Sequence, residues 1–581
     1  MRLLARHLNL ALSGLLLISL PTCLSAQSAQ SEEELEEQVF RQVERLRGSN
    51  VVSETVGHDA FEITLRFYGD IELEDGRALP WTEERRRPYR RAARRWLMAI
   101  RGVEGRDHHR LALHIVAMPF PFGNGGAQPE DDTFFMTGDV VIPENGEIII
   151  NSFLLEPEAQ EEAWIRNEEY HNALHEMGHV FGIGALWNIP AGDPESWEEF
   201  EDMDEDDITW RREWVIDDDA RGGLSYTQPH AVAAFQRVME TDLEFVPIGS
   251  DGGHLFALYD EEGPRRTAGG VEVPAADLEL MSHRNVLSEI SLGFLHDLGY
   301  VVDYDAADPY VAGAVTDIEL PDPSAPAWAN VAFSRALDTF GVRVYATESV
   351  PDERLRHAAN VLAEYLDNDE DGLADNPRVV NALRAADAAM VMAADEDEFD
   401  EVIDRLERDF ASTGRFPAIQ DLYASETIPG GRAAGRFDAT LEEVLHLVTH
   451  YGYSAVYPEQ FAERPGSAIA DAMDEARGGH FRAVPDRYPK TAWYSYDDET
   501  CDYGCQVTEY FYWGLTTLLG AQADRTRGDE IEEEWRPNTA AELRERDVAL
   551  TRLLTDPWIA LPTRLPDGSY DPAQPSDEDE D

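Results

Sequence analysis

Cysteine and lysine are both scarce in this chain. There are three cysteines in 581 residues. Cys23 falls in an amino-terminal stretch that reads as cleavable, which leaves Cys501 and Cys505. A cysteine switch near the mature amino terminus is thereby excluded. A soft-metal cluster is excluded too, because the pair would need two more soft ligands that the chain does not supply. In an oxidising compartment Cys501 and Cys505 are expected to close one short-loop disulfide. Lys490 is the only lysine, and Lys plus Arg number 48 against 115 Asp plus Glu, a formal net charge of −67. A surface of that sign repels nucleic acid and anionic membranes. It suits a salty medium, where like charges are screened, and equally a very soluble secreted protein. No apolar run approaches the roughly 20 residues of a membrane span, so no stable membrane insertion is expected.

What is present begins with a secretory pattern. Arg2 and Arg6 precede the apolar run Leu8 to Leu20, and Leu24-Ser25-Ala26 offers a small-residue cleavage site. Residues 1–26 are therefore expected to be a signal peptide, and the protein to be secreted, extracellular or periplasmic. Leu20-Pro21-Thr22-Cys23 is a poor lipoprotein site because of Thr22. A length of 581 residues makes two or three domains the natural prior, and 43% apolar content suffices for their cores. Residues 27–56 read as a charged helical segment, and Phe61 to Phe67 alternates as a strand does. Glu83 to Ile100 reads as a helix crowded with arginines, which are expected to pair with acidic surface while Trp96, Leu97 and Ile100 enter the core. Leu111 to Val116, Gly138 to Ile142 and Glu147 to Asn151 read as strands.

The chemistry starts at His175-Glu176-Met177-Gly178-His179-Val180-Phe181-Gly182. On a helix, i and i+4 share a face, so His175 and His179 can offer two imidazoles to one zinc ion. Glu176 lies next to that face and can act as general base toward a water on the metal. A third histidine three residues after Gly182 would complete the shortest pattern, but Ala185 is there. His254, in Asp251-Gly252-Gly253-His254, is the best remaining candidate. Glu279-Leu280-Met281-Ser282, Leu287-Ser288-Glu289-Ile290 and Asp297-Leu298-Gly299-Tyr300 follow it.

These blocks, with Gly178, Gly184, Leu186 and Trp187 in register, resemble the leishmanolysin family of metzincin metalloproteases, in particular its simpler bacterial members. The resemblance covers roughly residues 61–303. It implies zinc at His175, His179 and His254, Glu176 as general base, and Met281 in a turn beneath the metal. It also implies an α+β zincin-like catalytic domain, residues 57–304, in which one of the last strands before the zinc helix receives an extended peptide substrate. The chain departs from the family at Leu255, where a Trp is usual, in an acidic insertion between Ala185 and Asp251, and in lacking the disulfides of the protozoan members.

Residues 305–327 are rich in proline and read as a linker. Residues 328–581 read as a mainly α-helical domain with two further candidate sites. Asp367, Asp369, Asp371 and Asp375 alternate around Gly372 as in a calcium loop, although Arg378 stands where an EF-hand has Glu. His446 and His450 repeat the i, i+4 spacing, Glu442 lies one turn earlier on the same face, and Glu509 is a candidate third ligand, with His480 competing for that place. The implied activity is a secreted zinc endopeptidase, with calcium as a second candidate ion and a protein or peptide as substrate. The rival readings are a secreted metal-binding scaffold with a structural zinc and a protein with two metal centres. Nothing in the sequence sets the oligomeric state.

Overall fold

The structure, a computed structural model, describes residues 41–572 apart from 74, 120–123, 131–132, 157–162, 191–209, 259–264, 283, 312–313, 414–416 and 432–435. The expected leader and residues 191–209 of the acidic insertion lie outside the described residues. The chain divides into two compact units, one running to Tyr310 and the other spanning Val311–Ala573.

In the first unit, residues 41–47 are helical, but the expected helical segment does not reach residue 56. Val51, Val52, Thr55 and Val56 are β-branched and favour extended chain. They lie in β1 (Val51–His58), which turns at Asp59 and Ala60 onto antiparallel β2 (Phe61–Tyr68). Strand β2 alternates as read, with Phe61, Ile63, Leu65 and Phe67 all buried. Helix α1 (Glu83–Ala99) is capped by Thr82, whose side chain accepts the Arg85 N–H. Its arginines are absorbed locally. Arg86 and Arg90 reach Glu54, Arg91 sits 3.8 Å over the Tyr170 ring, and buried Arg95 pairs with Asp308 at 2.8 Å. Trp96 is buried and donates its indole N–H to the Leu174 carbonyl at 2.9 Å.

Strands β3 (His109–Met118), β4 (Gly125–Pro129) and β5 (Asn145–Asn151) complete a five-stranded mixed sheet of order β1-β2-β3-β5-β4. Strands β2, β3 and β5 are parallel, whereas β1 and β4 are antiparallel edges. This corrects the expected substrate edge. Glu147 to Asn151 is interior, because β4 pairs along its outer side, and Val140–Pro143 pairs with Phe134–Thr137 in a separate hairpin. Helix α2 (Ala163–Val180) packs against α1 and β4. Farther along, α3 (Pro229–Val238) packs on α4 (Glu289–Leu298).

The second unit opens on a sheet that the sequence reading missed. Strands β6 (Thr316–Glu319), β7 (Arg335–Thr339), β8 (Val342–Ala346), β9 (Ala389–Ala393) and β10 (Ile419–Tyr423) lie in that order, with β8, β9 and β10 parallel. The stretch expected to be a linker therefore contains an edge strand. Helix α5 (Asp352–Leu366) covers this sheet. From α6 (Thr440–Leu447) onward, through α7 (Tyr503–Leu518), the unit is mainly helical.

Candidate metal centre

Helix α2 delivers His175, Glu176 and His179 into the interior of the first unit, and all three are buried. His254 arrives from a loop more than seventy residues on, anchored by Asp251, whose carboxylate accepts the N–H groups of Gly253 and His254. The Nε2 atoms of the three imidazoles converge. They lie 3.1 Å apart for His175 and His179, 3.0 Å for His179 and His254, and 3.2 Å for His175 and His254. Tetrahedral zinc with Zn–N near 2.0–2.1 Å needs ligand nitrogens about 3.3 Å apart. The triangle thus has the size of one face of such a tetrahedron.

Each Nδ1 faces an acceptor. His175 meets the Leu280 carbonyl at 2.7 Å, His179 the Ile183 carbonyl at 2.9 Å, and His254 the Asp251 carboxylate at 2.6 Å. A carbonyl only accepts, so Nδ1 carries the proton and the Nε2 lone pair points into the triangle. Burial, helped by neighbouring His254, lowers the His179 pKa to about 3, which keeps its ring neutral. The neutral ring is the form that binds a metal. Among the described residues this buried group of three could hold a metal ion.

The turn Leu280–Ser282 supports two ligands at once. Leu280 holds His175, and the Met281 carbonyl accepts the N–H of Leu255, next to His254. Met281 itself lies under α2. A Cβ built at Gly178 would stand 2.6 Å from its sulfur, so any larger residue there would push the Met281 side chain aside. Gly184 is required for a second close approach: its φ is +76° and a Cβ would meet the Gly253 carbonyl at 2.4 Å. Glu279 fixes the turn from inside, accepting from the Met281, Ser288 and Ser291 N–H groups and the Ser288 hydroxyl. Burial nonetheless raises its pKa to about 7 against those donors. Glu176 is raised to about 8 by burial, opposed by His254. It also lies beside the outer strand, since a Cβ at Gly125 of β4 would be 3.5 Å from Glu176 Oε1. His171, one turn earlier on α2, is outside the group.

The second unit gathers two other clusters. Asp367, Asp369 and Asp375 bring carboxylate oxygens within 4.8 Å of one another, an oxygen-only set that suits calcium better than zinc. Asp371 is not among them: its Oδ1 accepts the Leu373 N–H. Asp367 is buried and accepts the Tyr570 hydroxyl at 2.7 Å. His446 and Glu509 do come together, but with Glu442 in place of His450. This corrects the expected pair. A π-helical segment, Val448–Tyr453, follows α6, and His450 there is half-exposed with Nδ1 on Glu463 at 2.6 Å. His480 is likewise half-exposed and bound to Asp474. Cys501 and Cys505 are joined just ahead of and within the first turn of α7.

Sequence spacing pointed to the imidazoles. It gave no sign of Asp251 or of the Leu280 and Ile183 carbonyls, and it placed Glu442 on the face of His446 without choosing it as a ligand. Comparison of the chain with protein-family models, curated proteins and solved structures gives no match.

Proposed function

We propose that this chain is a secreted zinc-dependent endopeptidase, with His175, His179 and His254 as metal ligands. One observation carries the reading: three buried imidazoles turn deprotonated nitrogens onto one point, each held from behind by an acceptor. Three neutral nitrogen donors suit zinc better than calcium or magnesium. A zinc ion bound there would acidify a water and polarise a carbonyl.

The remaining steps belong to the protein. Glu176 takes the proton of the attacking water and passes it to the leaving amine. A nearby cation would draw its raised pKa back down, so the carboxylate form would be available near neutrality. The antiparallel edge β4 runs beside Glu176 and can accept an extended peptide by strand addition. Main-chain pairing of that kind would hold many sequences in one register. Structural zinc sites usually have four protein ligands, and the three-ligand set among the described residues supports a catalytic site over a structural one.

Glu176→Ala tests the reading. Bound zinc should remain at one ion in this site while casein digestion falls by several orders of magnitude. Undiminished digestion, or digestion insensitive to a chelator, would remove the proposal.

A further inference from the structure

The second unit contains its own unexplained polar cluster. Glu442 and His446 share one face of α6, and Glu509 faces them from α7. The ligand-type atoms of the three all lie within 4.8 Å of one another. His446 and Glu509 are only 7% and 8% exposed. His446 Nε2 points at Glu509 Oε2 from 3.7 Å and has no hydrogen-bond partner among the described residues. Its other nitrogen faces Glu443 Oε2 at 3.5 Å, and Tyr512 packs edge-on to the ring.

The charge around this point does not balance. Glu442, Glu443 and Glu509 surround one imidazole, with Glu534 beyond them, so even a charged His446 leaves an excess of negative charge. A buried excess of one sign is relieved by a bound counter-ion.

The spacing also repeats that of the first unit. His175-Glu176-x-x-His179 becomes Glu442-Glu443-x-x-His446, with the third group again supplied from far along the chain. In each unit the second residue of the pattern touches an edge strand. Glu176 lies against Gly125 of β4, and Glu443 accepts the Gln420 side-chain N–H of β10 at 2.7 Å.

We propose that Glu442, His446 and Glu509 form a second divalent-metal site, separate from the three-histidine centre. One imidazole and two carboxylates suit a borderline ion such as zinc better than calcium or magnesium. Glu443 faces His446 Nδ1 from behind the ring, the place that Asp251 takes behind His254 in the first centre. The assignment does not depend on the endopeptidase reading, because it uses only residues of the second unit.

The test removes the first centre. The full chain carrying His175→Ala and His179→Ala is stripped with chelator, supplied with excess calcium to fill the aspartate loop, and titrated calorimetrically with zinc. One equivalent should bind, and adding Glu509→Gln or Glu442→Gln should abolish it. No binding in the double variant, or one equivalent persisting in both glutamine variants, overturns the proposal. Should the double variant not fold, metal content decides on the otherwise intact chain. Glu509→Gln should then lower zinc by one ion per chain, and an unchanged content overturns the proposal.

Discussion

Behind each imidazole of the first centre stands an oxygen, and only one of these oxygens belongs to a side chain. Asp251 is therefore the one supporting group that a substitution can remove directly. Asp251→Asn should weaken metal binding by about 10–100-fold, the usual effect of disturbing a ligand's outer partner. Competition against a graded chelator measures it, and an unchanged affinity would show that the His254 ring is held by packing alone. At this scale the sequence was readable only where a period converts spacing into direction. His175 and His179 lie four apart on a helix, so their common face follows from 3.6 residues per turn. Asp251 lies in a loop, where no such rule applies. The same rule misled at His446 and His450. Their spacing was right for a helix, but the ladder widens at Val448–Tyr453 and His450 turns to Glu463. Glu442, one turn the other way, occupies the place instead.

Among the elements, α2 and the Leu280–Ser282 turn are fitted to each other through Gly178 and Met281. Gly178→Val should force them apart. The expected cost is about 1–3 kcal/mol of stability, as for other overpacked interiors. Metal affinity should fall with it, because the Leu280 carbonyl holds His175. Thermal unfolding of the metal-free protein separates the packing effect from the loss of the ion, and Gly178→Ala should give a smaller change of the same sign. Elements with a strong pattern were legible. Strand β2 alternates, and α1 has its cap at Thr82 and its buried Trp96 and Leu97. The second sheet was not. Strand β9 is Ala389-Met390-Val391-Met392-Ala393 and is buried throughout, so it has no alternation to read, and its composition favours a helix. Strand β6 lies among prolines that read as a break, yet an edge strand of four residues tolerates such neighbours.

For the molecule as a whole, two electrostatic consequences follow. Burial raises Glu147, Glu279, Glu364 and Glu534 to about 7. In the unfolded chain these carboxyls titrate near 4.5, so between the two values the folded form holds more protons. Stability should therefore decline as pH rises through that window. His109 acts in the opposite sense at the acid end. Burial lowers it to about 4, so its share of stability is lost as pH falls from 6.5 toward that value. The raised carboxyls outnumber the lowered histidines His109 and His179, which predicts a midpoint of thermal unfolding that is higher near pH 5 than near pH 8. Glu147→Gln should flatten the slope. The second consequence comes from the net charge of −67, whose self-repulsion salt screens. Added sodium chloride should raise the unfolding temperature at neutral pH, and a fall would mean that exposed ion pairs such as Arg237–Glu289 outweigh the global field.

The acceptors that orient the three imidazoles come from the polypeptide itself, and none of them depends on the ion. The rings are consequently aimed before any metal arrives. Zinc added to a stripped sample should then bind within the mixing time, with no slow folding phase and no change in far-ultraviolet dichroism. The ion would seat itself as a part is dropped into a jig already clamped.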